Sequence, residues 1–165
     1  MELITVRELF KNIDKYAGQE ITVGGWVRNK RPSKQFGFIV LNDGSYFTPV
    51  QVVYNDTLAN FQEISKINIS AALIVRGTVE LTPDAKQPFE IQASSITVEG
   101  PSTGDYPLQP KKHSMEYLRT ITHLRPRANT FQAVFRIRSL AAMAIHQFFQ
   151  DRDFVYVHTP LITGS

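Results

Sequence analysis

The sequence contains no cysteine. That excludes a disulfide scaffold, a cysteine-ligated zinc or iron–sulfur site and a thiol nucleophile. Long apolar runs are missing too. Short ones such as 71–75 and 140–145 are the most extended, so no segment is expected to span a membrane. The N-terminus opens Met-Glu-Leu-Ile, with an acid and no basic stretch, so no secretory leader is expected and a cytoplasmic location is the default. At 165 residues the chain is one domain with something attached, or two small ones. Signatures of several chemistries are absent as well. There is no G-x-x-x-x-G-K-[ST] or G-x-G-x-x-G phosphate cradle and no G-x-S-x-G elbow. His113, His123, His146 and His158 have no ligand spacing, so no metal site is expected. Asp84 and Glu90 make no acid/base pair, and no catalytic residue is assigned.

Charge is distributed unevenly. Residues 1–99 hold 10 Lys/Arg against 11 Asp/Glu, whereas residues 100–165 hold 8 against 4. No acid occurs between Glu20 and Asp43, while Arg28, Lys30, Arg31 and Lys34 all fall there. Such clustering suits a local anionic partner. A solvated loop would give the same pattern, and charge alone favours that plainer alternative.

What is present organises the chain. Thr5-Val-Arg-Glu8 reads as a capping box, followed by Val6, Leu9, Phe10 and Ile13 at helical spacing, with Gly18 closing the helix. Strands are expected over 21–31, 36–41, 49–54, 71–81 and 89–99, and a short helix over 55–67 with Asp56 as its cap. A helix, three strands, a helix and two strands is the order of the five-stranded OB-fold barrel, which binds oligonucleotides across its second and third strands. In the second strand Ile39 and Leu41 share one face and Phe36, Phe38 and Val40 the other. Either set could be the inner one.

Residues 99–110 have a Gly/Pro-rich linker composition, and a basic stretch follows. A long helix is expected over 130–151, apolar on more than one side, then a short strand over 154–159 that runs into Pro160. One helix and one strand do not make a core, so the second domain looks cut off. The expected division is therefore 1–103 barrel, 104–128 linker or hinge, and 129–165 the start of a further domain. The fold class is mainly β, with a truncated α+β element.

Binding single-stranded bases takes an aromatic face, cations for phosphates and polar groups for base edges. Phe36 and Phe38, the basic run from Arg28 to Lys34, and Gln51 with Glu90 supply all three on neighbouring strands. Gln51 offers donor and acceptor together, which suits a pyrimidine edge; Glu90 can accept from a guanine-like edge.

Two stretches then carry a resemblance over essentially the whole chain. Gly25-Trp-Val-Arg28, Arg31, Phe38-Ile-Val-Leu-Asn-Asp-Gly44 and Val50-Gln-Val52 resemble the anticodon-binding OB-fold of the class II aspartyl, asparaginyl and lysyl tRNA synthetases. Tyr117-Leu-Arg119, His123-Leu-Arg-Pro-Arg127 and the run from Asp153 to Ser165 are similar to the asparaginyl enzymes, with His158-Thr-Pro160 where the aspartyl and lysyl enzymes usually carry Glu-Thr-Pro.

The resemblance implies that Phe38 stacks on the central uridine of the anticodon and Gln51 hydrogen-bonds it. It implies that Arg31 helps to hold the loop and Glu90 contacts the first anticodon base, with Arg28 and Phe36 in the same surface. Lys111, Arg119 and Arg125 would be hinge contacts to tRNA. The long helix and Pro160 resemble motif 1, which implies a homodimer interface that includes Phe154 and Pro160. The implied partner is tRNA(Asn), with no DNA and no membrane. ATP and Mg2+ would serve the full-length enzyme, which joins asparagine to its tRNA through an asparaginyl-adenylate. Motifs 2 and 3 are not in this sequence, so the chain by itself is expected to bind tRNA and not to aminoacylate it. The alternative is a free-standing single-strand-binding OB protein with a helical dimerisation tail.

Overall fold

A computed structural model describes residues 2–162 and 164; Thr163 and Ser165 of the terminal motif lie outside the described residues. The chain forms two compact units, residues 1–112 and 113–165. The division falls inside the stretch 104–128.

In the first unit, α1 (Val6–Lys11) starts where the Thr5 hydroxyl accepts from the Glu8 amide at 3.2 Å. Asp43 adds a second cap from far along the chain, its Oδ2 accepting from the Val6 amide at 2.9 Å. Asn12 interrupts the expected single helix, and α2 (Ile13–Tyr16) completes it. Gly18 then takes φ 73°, a left-handed conformation that costs a glycine little.

Five strands follow: β1 (Glu20–Pro32), β2 (Phe36–Asn42), β3 (Val50–Asn55), β4 (Ala72–Leu81) and β5 (Phe89–Gly100). They close into a barrel in the order β1-β2-β3-β5-β4, with β3 and β5 parallel and the other pairs antiparallel. The alternation fills the interior: Val23, Val27, Ile39, Leu41, Val52, Leu73, Val75 and Ile91 are all buried. The open choice in β2 is thereby decided. Ile39 and Leu41 face inward, and Phe36 and Phe38 face outward.

Between the two aromatics, Gly37 faces inward without a side chain. A Cβ there would overlap the ring of Tyr54, which occupies that space. The expected helix over 55–67 shrinks to one turn, α3 (Phe61–Ile64), preceded by turns and without a side-chain cap, so Asp56 does not cap it. Leu58, Phe61, Ile64 and Ile67 are nevertheless all buried. Their spacing of three reported burial, and helix only where the turns allow it. The Gly/Pro-rich stretch after β5 is tied down as well: the Asn68 amide donates to the Ser102 carbonyl at 2.7 Å, and Tyr106 packs against the barrel core.

The second unit contains α4 (Met115–Thr120), a single 3-10 turn at Arg125–Arg127, and α5 (Asn129–Gln150). No described residue of α5 is buried. The strand expected over 154–159 is not formed: a strand needs a neighbour to accept its ladder, and none is offered to these residues. The truncated α+β element expected from sequence is therefore not shown; among the described residues only the long helix is formed.

Candidate nucleic-acid interface

The outward aromatics are positioned by the ladders around them. Phe38 pairs with Arg31 on β1 and with Val53 on β3. One step along, Val40 pairs with Gln51, and Gln51 pairs with Glu90 on β5. Residues directly opposite one another on adjacent strands share a face, so Arg31, Phe36, Phe38, Gln51 and Glu90 come together on one side of the barrel.

Arg31 reaches this face because β1 is irregular. The register shifts between Val27 and Asn29, which makes Arg28 the extra residue of a bulge. Strict alternation from Val27 would have turned Arg31 inward. The bulge inverts the alternation and aims Arg31 outward at Phe38. The same inversion sets Lys30 opposite the buried Ile39. Its ammonium donates to the Ser65 carbonyl at 3.3 Å, and burial holds its pKa below the ordinary lysine value. Lys30 is therefore not one of the cations on this face. Arg28 is half-buried at the bulge, and Lys34 is exposed in the turn before β2.

The geometry is continuous. Phe36 and Phe38 meet edge to face, with ring centroids 5.6 Å apart at 88°. The Arg31 guanidinium carbon sits 5.2 Å from the Phe38 centroid, and its Nη2 approaches Gln51 Oε1 at 3.5 Å. Gln51 Nε2 donates to Glu90 Oε1 at 2.7 Å. The surface thus presents an aromatic face flanked by a cation, then an amide, then a carboxylate. It can stack a base, read a pyrimidine edge and accept from a purine edge.

Two members of this face were not singled out from sequence. Gln92 pairs with Val53 and lies two residues beyond Glu90 on the outward side; counting by two from Glu90 would have found it. Gln87, in the loop before β5, donates from Nε2 to Glu90 Oε1 at 2.5 Å, and no spacing rule points to a loop residue.

A match to the tRNA_anti-codon family model, the OB-fold nucleic acid binding domain, covers residues 21–99 and so contains all five of these residues. The chain is 64% identical over 165 residues to the asparagine–tRNA ligase of Alkaliphilus oremlandii and 61% identical over 165 residues to that of Bacillus cereus, in each case across 100% of this chain and 36% of the relative. Over its whole length the chain is similar to part of the asparagine–tRNA ligases. It spans about a third of the length of these relatives.

Among solved structures, the asparaginyl-tRNA synthetase of Pyrococcus horikoshii in complex with asparaginyl-adenylate shares the fold, with TM-score 0.84 at 20% identity over 98% of this chain and 37% of that one. The aspartyl-tRNA synthetase of Entamoeba histolytica does so at TM-score 0.78 and 21% identity, over 99% of this chain and 40% of that one.

The remaining residues expected to contact tRNA or a partner subunit are on other segments of the chain. Lys111 is exposed near the end of the first unit. Arg119 is exposed on α4, and the Arg125 guanidinium stacks 4.9 Å from the Phe131 ring. Phe154 is exposed and meets Phe149 at 5.2 Å; Pro160 is exposed. Among the described residues no three His, Asp or Glu side chains come together to hold a metal ion, and no helix is long and apolar enough to cross a membrane.

Proposed function

We propose that the barrel binds the anticodon loop of tRNA(Asn), Phe38 stacking on the central uridine, Gln51 hydrogen-bonding it and Glu90 accepting from the first base. What supports this is one observation: an outward Phe38 with Arg31 beside it and the Gln51–Glu90 pair one register step away. Arg28 and Phe36 extend the surface along the loop, and Lys111, Arg119 and Arg125 contact the tRNA beyond it.

The activity served is the ligation of asparagine to tRNA(Asn) through an asparaginyl-adenylate, as the names of the relatives suggest. The sequence carries no phosphate-cradle motif and, among the described residues, no three His, Asp or Glu side chains lie together, so no residue of this chain is assigned to ATP or Mg2+. We assign both to the part of the relatives' length that this chain does not span. The chain alone binds and does not aminoacylate. Phe154, Pro160 and the apolar stripe of α5 belong to the homodimer interface of the full-length enzyme, which works in the cytoplasm.

The test is a competition between an anticodon stem-loop with a central uridine and an unrelated single-stranded pyrimidine run of equal length. Preference for the stem-loop by an order of magnitude or more is expected. Equal binding would make the barrel a general single-strand binder instead.

A further inference from the structure

The loop between β4 and β5 reaches into the recognition face through one side chain. Gln87 Nε2 donates to Glu90 Oε1 at 2.5 Å, the same oxygen that accepts from Gln51 Nε2 at 2.7 Å. Two amides from different elements therefore converge on one carboxylate oxygen. A carboxylate oxygen has two lone pairs, so Oε1 is fully engaged. Among the described residues no donor meets Oε2, which is left as the accepting atom of the site.

The position of Gln87 is itself built. Pro88 follows it and restricts its backbone to extended conformations. The Thr82 amide donates to the Pro88 carbonyl at 2.9 Å, and the Thr82 hydroxyl donates to the Gln87 carbonyl at 2.8 Å. Both bonds close the neck of the loop. Residues 83–86 beyond the neck are exposed, whereas Gln87 is half-buried against the barrel.

The last torsion of a glutamate is broad and roughly two-fold, so a carboxylate held by one donor can swivel between its two oxygens. Gln51 alone would be such a single donor. We propose that Gln87 is a positioning residue: by adding the second donor it fixes the Glu90 carboxylate with Oε2 toward the ligand, and so sets the preference for a purine that presents N–H donors over one that presents a ring acceptor. Guanine offers N1–H and a 2-amino group at that edge. Adenine offers a single donor group, its 6-amino, beside the N1 lone pair, and that lone pair opposes the Oε2 lone pairs where guanine places a second donor. The inference rests on the anticodon-binding reading given above. It assigns to the β4–β5 loop the control of first-base selection.

The test measures binding of this chain to two anticodon stem-loops that differ only in guanosine or adenosine at the first anticodon position. The wild-type chain is expected to prefer guanosine. Gln87→Met keeps the length and removes the donor; it is expected to weaken the guanosine loop about 5-fold while leaving the adenosine loop unchanged, so that the preference narrows by the same factor. Gln87→Glu replaces the donor by a second carboxylate and narrows the preference further. A uniform fall in affinity for both loops would mark a merely structural role and overturn the proposal. So would full retention of the guanosine preference in Gln87→Met. A wild-type chain without any guanosine preference would overturn the anticodon reading as well, whereas the two variant outcomes leave that reading intact.

Discussion

The barrel and the long helix both carry apolar stripes and treat them in opposite ways. Val52 and Ile91 on the barrel strands are 0% exposed, whereas Ile137 and Leu140 on α5 are 66% and 71% exposed. The difference lies in closure. β1 pairs with both β2 and β4, so every inward side chain of the barrel meets others of the same unit. A single helix has no such complement among the described residues of the second unit. Apolar periodicity therefore predicts a face, and only topology decides whether that face is covered.

The sharpest way to break this comparison is to delete the same side chain from each region. Leu41→Ala is expected to cost about 2–5 kcal/mol in urea denaturation, because Leu41 is fully buried among inward strand residues. Leu140→Ala should stay within about 0.5 kcal/mol, as exposed positions do. A large loss at Leu140 would show that its stripe is covered in solution.

Each region also carries a phenylalanine with an arginine over its ring, Phe38 half-buried and Phe148 exposed. Arg31 lies 5.2 Å from the Phe38 ring, and Arg152 lies 3.7 Å from the Phe148 ring. Only Phe38 has a polar pair, Gln51 and Glu90, one register step away. Phe38→Ala is expected to weaken binding of the anticodon stem-loop by about 1–3 kcal/mol, the usual worth of a stacked base, and Phe148→Ala to leave it unchanged. Equal losses, read by fluorescence anisotropy, would mean that the aromatic–arginine pair is sufficient and the polar neighbours are irrelevant.

Part of this face was legible in the sequence: alternation put Phe36 and Phe38 together on one side of β2 and left open whether that side is the outer one. Phe38, Gln51 and Glu90 are each flanked by buried residues, and a period of two turns them outward together. Barrel order and strand limits followed from the same pattern. The bulge was not legible. No residue type at Val27-Arg28-Asn29 signals that one position is extra, yet it decides that Arg31 lies beside Phe38 and that Lys30 reaches the Ser65 carbonyl. Gln87 was hidden for a different reason: its role depends on how a loop neck folds back, through Thr82 and Pro88, and not on any period. In the second unit, the alternating run after Phe154 suggested a strand, but hydrogen-bonding partners, not the run itself, make a strand.

A milder effect is expected inside the barrel. The Tyr54 hydroxyl is buried beside Gly37 with no hydrogen-bond partner among the described residues. An unmatched buried hydroxyl is a net cost, so Tyr54→Phe should raise stability by about 1 kcal/mol in the same denaturation experiment. A loss instead would place an ordered water on that oxygen.

The smallest effect compares one glutamate from each region. Arg76 donates to Glu20 at 2.6 Å and Ser94 donates to it at 3.0 Å; the Arg76 bond is the larger cause holding Glu20 below the ordinary 4.5. Glu116, in the first turn of α4, is held below it by a backbone N–H and then by Ser114. A depressed carboxylate pKa means that the stabilisation is present above the unfolded value and is lost as pH falls through the folded one. Both carboxylates are solvent-exposed, so the effects are small. The single tryptophan, Trp26, lies on β1 and reports on the barrel alone. Glu20→Gln should lower barrel stability slightly at neutral pH, with the gap to wild type closing below the ordinary carboxylate range. Glu116→Gln should leave the Trp26 unfolding curve unmoved and alter only the helical signal. If Glu116→Gln shifts the Trp26 curve as much as Glu20→Gln does, the two regions unfold as one, and the contrast between a self-sufficient barrel and an uncovered helix fails.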